Sequence, residues 1–205
     1  MADISPKFNQ GYLEVFAGPM NCGKSRELIN KIDRLHYMPE MGHLLVKPKI
    51  DTRDVNVKTR FGNLEFACET IDEMNPKRIL EIVKPEYVVI GIEEAEFFHE
   101  GIVEVVQKLM KQKKYVLVSG LDTDFRGEPF GYMPQLMAIA NEVHKLTAAC
   151  QYEVHGKKCG QPATRTQRLI DGKPAPYKSP IILIGDKTEG YQPRCLKHHY
   201  VPGKK

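Results

Sequence analysis

Apolar runs and helical stripes alternate through the first 150 residues of this chain. Leu13–Phe16, His43–Val46, Tyr87–Ile92, Tyr115–Val118 and Glu142–Leu146 are short segments rich in strand-forming residues. Two runs, Tyr87-Val88-Val89-Ile90-Gly91-Ile92 and Tyr115-Val116-Leu117-Val118, are almost unbroken, the pattern of strands covered on both faces. Between the strands the period lengthens. Leu28, Ile32 and Leu35 follow at spacings of four and three, and Ile102, Val105, Val106, Leu109 and Met110 form a second helical stripe. This alternation predicts an α/β fold, a mostly parallel sheet flanked by helices. Asp51 to Glu69 is polar with partial alternation (Val55, Val57, Phe61, Leu64, Phe66) and is expected to be a mobile loop or hairpin at the sheet edge.

The pattern changes near Ala149. From Cys150 to Lys205 there is no long helical stripe, and prolines recur at 162, 174, 176, 180, 193 and 202. The expected organisation is an α/β unit over 1–148 and a small lobe over 149–205. Five cysteines are an odd count, and Cys22 and Cys68 stand alone in the first unit. That is a poor disulfide framework. Cys150, Cys159 and Cys195 fall in the lobe near several histidines, which in a reducing compartment points to a metal.

Composition narrows the function classes. In 205 residues, 41% are hydrophobic, enough for a real core, and no apolar run approaches the ~20 residues of a membrane span. The N-terminal residues lack the basic and apolar regions of a secretory signal, so a cytoplasmic location is expected. The net charge of +4 suits small anionic ligands, and the Lys and Arg residues are dispersed rather than striped, which argues against a nucleic-acid partner.

The most specific motif is Gly18-Pro19-Met20-Asn21-Cys22-Gly23-Lys24-Ser25, the G-x-x-x-x-G-K-S of a phosphate-binding loop (P-loop). The glycines let backbone N–H groups converge on phosphate oxygens. Lys24 reaches the β/γ-phosphates, and the Ser25 hydroxyl serves a magnesium ion. A strand candidate precedes the loop and a helix candidate follows it, so the helix N-terminus adds its partial positive charge. The second element such a site needs is an apolar strand ending in an acid. Val88-Val89-Ile90-Gly91-Ile92-Glu93-Glu94 supplies it, expected to emerge beside the phosphate loop. Glu93 would face the metal, and Glu94 would take a proton from an attacking hydroxyl. The plainer alternative is a pair of solvated acids at a strand end. Phe97, Phe98, Phe125 and Phe130 follow at the same sheet edge, suited either to stacking on a nucleobase or to core packing.

These pieces, in this order, resemble the thymidine kinases that carry a zinc lobe. The resemblance runs over about residues 11 to 202. It rests on the phosphate loop, Asp51-Thr52-Arg53, Glu93-Glu94-x-x-Phe97-Phe98, and Gly120-Leu121-Asp122-x-x-Phe125 with Pro129-Phe130-Gly131. It continues through Lys145-Leu146-Thr147-Ala148-x-Cys150 and Ala163-Thr164-Arg165-Thr166-Gln167-Arg168. It ends with Tyr191-x-Pro193-Arg194-Cys195-x-x-His198. It implies transfer of a phosphoryl group from ATP, with Mg2+, to the 5′-hydroxyl of thymidine, and a homotetramer. Gly18 to Ser25 would bind ATP phosphates, aided by Asp51, Thr52, Arg53, Glu93 and Glu96, with Glu94 as base. Phe97, Leu121, Phe125 and Phe130 would wall the thymine pocket. Thr166, a covering loop including Ile181, Ile182, Leu183, Ile184 and Gly185, and Tyr191 would complete it. The alternatives are a kinase of another pyrimidine deoxynucleoside such as deoxyuridine, and a catalytically weakened nucleotide-binding homologue.

Three positions depart from the family pattern. Glu93 stands where Asp is usual, and Glu96 where Gln is usual; a carboxylate there repels triphosphate unless it is protonated or turned away. The first metal pair is usually Cys-x-x-Cys, whereas eight residues separate Cys150 from Cys159. A hairpin turning at Gly156 would still bring both thiolates to one ion, and Cys195-x-x-His198 has good spacing. The expected structural Zn2+ ligands are Cys150, Cys159, Cys195 and His198, with His155 and His199 as alternatives. Three buried free cysteines are the plainer possibility.

Overall fold

A computed structural model describes residues 10–34, 38, 41–52, 56–58, 65–182 and 189–205. Six strands form one sheet: β1 (Tyr12–Ala17), β2 (Gly42–Pro48), β5 (Glu69–Ile71), β6 (Tyr87–Ile92), β7 (Tyr115–Gly120) and β8 (Glu142–Lys145). Their order is β5-β2-β6-β7-β1-β8, and every pairing is parallel. All five strands expected from the apolar pattern are present. β5 is an addition. Only one of its three residues, Ile71, is buried, so too little of it is apolar to register as a strand.

Parallel strands require covered faces. Alternate side chains of β1 divide between two cores. Leu13, Val15 and Ala17 join Ile90, Ile92, Val116 and Val118 beneath α2 (Arg78–Ile82), α3 (Gly101–Lys111) and α4 (Met133–Ile139). Phe16 faces the other way with Leu45, Val89 and Leu117 beneath α1 (Lys24–Asp33), through Leu28, Ile29 and Ile32. Leu35, the third residue of that expected stripe, lies outside the described residues. Val57 and Phe66 pack on this second face from a two-stranded antiparallel ribbon, β3 (Val57–Lys58) with β4 (Glu65–Phe66). The polar stretch is thus a hairpin in its described part, and it runs into β5.

An acid of β1 sits inside the core. Glu14 on β1 is fully buried and accepts hydrogen bonds from Tyr115 Oη and Lys31 Nζ (2.8 Å), with His144 Nε2 at 2.7 Å. A buried carboxylate persists when several donors surround it, as here.

After β8 the described residues form strands of two to six residues and one 3-10 turn. β9 (Ala148–Ala149) pairs with β12 (Pro162–Ala163), and β10 (Glu153–Val154) with β11 (Lys157–Lys158). β13 (Arg165–Ile170) lies between β14 (Lys173–Pro174) and β15 (Glu189–Arg194), all antiparallel. Phe125, from the loop after β7, completes a small core with Ala175 and Val201. Among the described residues no helix is long and apolar enough to cross a membrane.

Candidate active site and metal centre

Ligands of an open α/β sheet gather at the carboxyl ends of its strands. There β1 runs into the phosphate loop, whose backbone is tightly curled. Gly18 has φ 151°, and a Cβ on it would lie 2.5 Å from the Leu146 carbonyl oxygen and 2.9 Å from Cys22 Sγ. Asn21 (φ 62°) and Gly23 (φ 93°) are left-handed, turning the chain into α1. Lys24 Nζ donates back to the Pro19 carbonyl at 2.8 Å and lies 3.8 Å from Cys22 Sγ. Burial outweighs this cation and raises the Cys22 pKa, so the thiol stays protonated near neutrality.

Glu93, at the end of β6, reaches the phosphate loop as the sequence pattern predicts, although β6 is not the neighbour of β1. β7 lies between β1 and β6, because the β1–α1–β2 crossover leaves room for two strands. Glu93 bridges the gap. Its carboxylate is 5% exposed and accepts from Ser25 Oγ on one oxygen and from Ser119 Oγ of β7 on the other. Ser119 is small and polar, so a Glu can reach across β7.

Glu94 is partly exposed and holds φ 49°, ψ 47°, a left-handed backbone uncommon for a non-glycine residue. Residues held in such conformations cluster at functional sites. Glu96, expected on the nucleotide side, is instead turned inward. It is 2% exposed, its oxygens have no hydrogen-bond partner among the described residues, and a Cβ on Gly120 would lie 2.6 Å from Oε2. Burial first, then the neighbouring Glu94 carboxylate, hold its pKa well above the usual range, despite the opposing charge of Lys24. The same two causes favour its protonated, uncharged form.

A cavity of about 740 Å³ opens over this edge. Met20 through Arg26, Lys47, Asp51, Glu93 and Glu94 line it, so it gathers most of the expected phosphate-side residues. Gly18 and Pro19 are buried behind it, Thr52 is exposed beside it, and Arg53 lies outside the described residues. None of the described residues expected on the nucleoside side lines this cavity. Phe97 and Phe130 meet edge to face at 5.6 Å, and Leu121 is buried. Phe125 is 2% exposed in the lobe's core, with the guanidinium groups of Arg126 and Arg168 5.4 and 5.5 Å from its ring centre. Thr166 Oγ1 accepts from the Met20 backbone N–H at 3.0 Å, tying β13 to the phosphate loop. Tyr191 is half-buried opposite Arg168 on β15. Ile181 and Ile182 are exposed; Leu183, Ile184 and Gly185 lie outside the described residues. Arg126 Nη2 and Arg168 Nη1 hold the Ser179 and Pro180 carbonyls where that stretch begins.

In the lobe, ligand atoms of Cys150, Cys159, Cys195 and His198 all lie within 4.8 Å of one another. Three thiols and an imidazole so disposed fit a tetrahedral Zn2+ site with no position left open. Burial would raise the Cys150 pKa, but hydrogen bonds from the Cys195 and Tyr152 backbone and from His198 lower it to about 6. Burial and the Cys150 charge raise that of Cys195. Tyr152 stacks on His198 at 4.4 Å, fixing the ring. His155 sits at the exposed hairpin turn, and His199 is engaged with the Phe125 carbonyl at 2.9 Å, so neither alternative joins the cluster.

The sequence profile of the thymidine kinase family matches residues 11–200. A thymidine kinase of Coprothermobacter proteolyticus is 44% identical over 194 residues, 95% of this chain and 93% of that protein. The chain belongs to the thymidine kinase family.

Within this thymidine kinase framework the cavity holds residues the sequence reading passed over. Lys47, at the end of β2, is 2% exposed with its Nζ 3.5 Å from Asp51. A lysine ending an apolar strand four residues before an acid was the available signal. Arg26, Asn56, Gln151 and Lys158 also line the cavity, but nothing local in the sequence marks them.

Proposed function

We propose that this protein is an ATP-dependent thymidine kinase. The observation that carries the reading is the Ser25–Glu93–Ser119 hydrogen-bonded set beside Glu94, at the mouth of a phosphate loop, in a chain of this family. The loop's N–H groups and Lys24 bind the ATP phosphates. Ser25 and Glu93 would hold Mg2+, which when bound supplies charge neutralisation at the phosphates. Glu93 carries one methylene more than Asp, and that length suits reaching Ser25 across β7. Phosphoryl transfer is mostly positioning and charge stabilisation. The 5′-oxygen of thymidine bonds to the γ-phosphorus, the bond to the β,γ-bridging oxygen breaks, and ADP leaves. Glu94 accepts the hydroxyl proton. Neutral Glu96 behind it adds no charge opposing the triphosphate.

Thymidine is read by the Phe97–Phe130 side of the edge and by the loop beginning at Ile181, whose root Arg126 and Arg168 brace. The Cys150, Cys159, Cys195 and His198 set binds structural Zn2+. We assign 1–148 to the kinase unit and 149–205 to the zinc lobe, and expect a cytoplasmic homotetramer on the family resemblance. Incubation with ATP, Mg2+ and a panel of nucleosides, with products identified by mass, tests the assignment. Thymidine monophosphate as the main product supports it. Preference for deoxyuridine, or no nucleotide product, contradicts it.

A further inference from the structure

The metal lobe forms one wall of the cavity, through Ala148, Ala149, Cys150, Gln151, Lys158 and Gly160. Lys158 is the charged residue of that wall. It belongs to the eight-residue stretch between Cys150 and Cys159, which is longer than the family's usual spacing of two. That stretch is the β10–β11 hairpin, turning through the left-handed residues His155 (φ 48°) and Gly156 (φ 74°).

Lys158 sits at the fixed base of the hairpin, not at its tip. Cys159 N–H donates to the Tyr152 carbonyl at 2.8 Å and Gly160 N–H to that of Cys150 at 3.0 Å. Gln151 N–H ties the base to β15 through the Pro193 carbonyl at 3.0 Å. Side chains alternate along a strand. Cys159 turns its sulfur into the Cys/His cluster, and its neighbour Lys158 faces the cavity. Glu153 is directly opposite Lys158 on the hairpin, yet no ion pair joins them, and the ammonium is exposed without a partner among the described residues.

We propose that Lys158 is a donor-binding residue, its ammonium meeting the polyphosphate of the donor nucleotide from the wall facing the phosphate loop. The proposal rests on the kinase reading above. Lys24, Arg26 and Lys47 line the cavity together with Asp51, Glu93 and Glu94, so cations and carboxylates are equal in number before Lys158 is counted. Lys158 tips the balance toward a triphosphate. It also places a donor contact next to a metal ligand, so that the lobe acts on the donor as well as on the nucleoside.

Titration calorimetry with Mg2+ and the non-hydrolysable analogue AMP-PNP tests this, at low and high salt, on the full chain. Lys158→Met weakens binding about three- to tenfold at low salt and less at high salt. Lys158→Glu weakens it further, Lys158→Arg restores it, and the KM for thymidine stays unchanged in all three. AMP-PNP binding by Lys158→Met equal to that of wild type overturns the proposal and leaves the kinase reading standing. Wild-type protein that fails to bind AMP-PNP overturns both.

Discussion

Replacing Glu96 with Gln removes a proton-binding group from beneath the site while keeping its shape. Glu96 is 2% exposed, and burial and the Glu94 carboxylate hold its pKa well above the usual range. Between the unfolded carboxyl pKa and the raised folded value the folded protein therefore keeps a proton that the unfolded chain has released. As pH rises, stability falls wherever the folded state binds more protons than the unfolded one. The favourable contribution is complete below the unfolded carboxyl pKa of about 4.3 and is lost as pH rises toward the raised folded value. The slope approaches ~1.4 kcal/mol per pH unit for one proton. Glu96→Gln lacks that slope, so its stability gains on wild type by up to this amount for each unit. Urea unfolding of both proteins from about pH 5 to pH 8 measures the difference. Turnover of the variant at neutral pH stays within about threefold of wild type, since a protonated Glu and a Gln each present one acceptor and one donor edge. Parallel stability curves, or a hundredfold loss of turnover, would refute the neutral assignment.

Three further outcomes follow from the same geometry. Glu94→Gln cuts turnover by about 10²-fold or more while AMP-PNP still binds, as steady-state rates and calorimetry will show; near-normal turnover removes Glu94 as the base. Gly18→Ala drives a Cβ to 2.5 Å from the Leu146 carbonyl oxygen, costing about 1–3 kcal/mol in urea unfolding; an unchanged midpoint contradicts the tight loop. Protein purified without chelator contains about one zinc per chain, and stripping it lowers the melting temperature. Elemental analysis showing none sinks the metal assignment.

Local chemistry was legible in the sequence wherever residue type and spacing were both constrained. The phosphate loop is contiguous, so it could be read whole, and metal ligation admits few side chains, so Cys150, Cys159, Cys195 and His198 stood out. Fully covered strands such as β6 and β7 declare themselves as apolar runs. Elements of a few residues do not: β5 offers one buried side chain. Long-range partnerships were invisible for a different reason. Nothing local marks Glu14 as a buried acid, because Lys31, Tyr115 and His144 meet it only after folding. Glu96 could be flagged as a departure, but its inward turn depends on the space above Gly120. Phe125 taken alone reads as core and becomes a pocket wall only through the family resemblance; its packing with Ala175 and Val201 places it in the lobe's core.

The central claim is tested most directly by transfer of label from γ-labelled ATP to thymidine, with Mg2+, by wild type and Glu94→Gln in parallel. The account predicts labelled thymidine monophosphate from wild type and almost none from the variant. Label released only as inorganic phosphate, or equal transfer by both proteins, would contradict it.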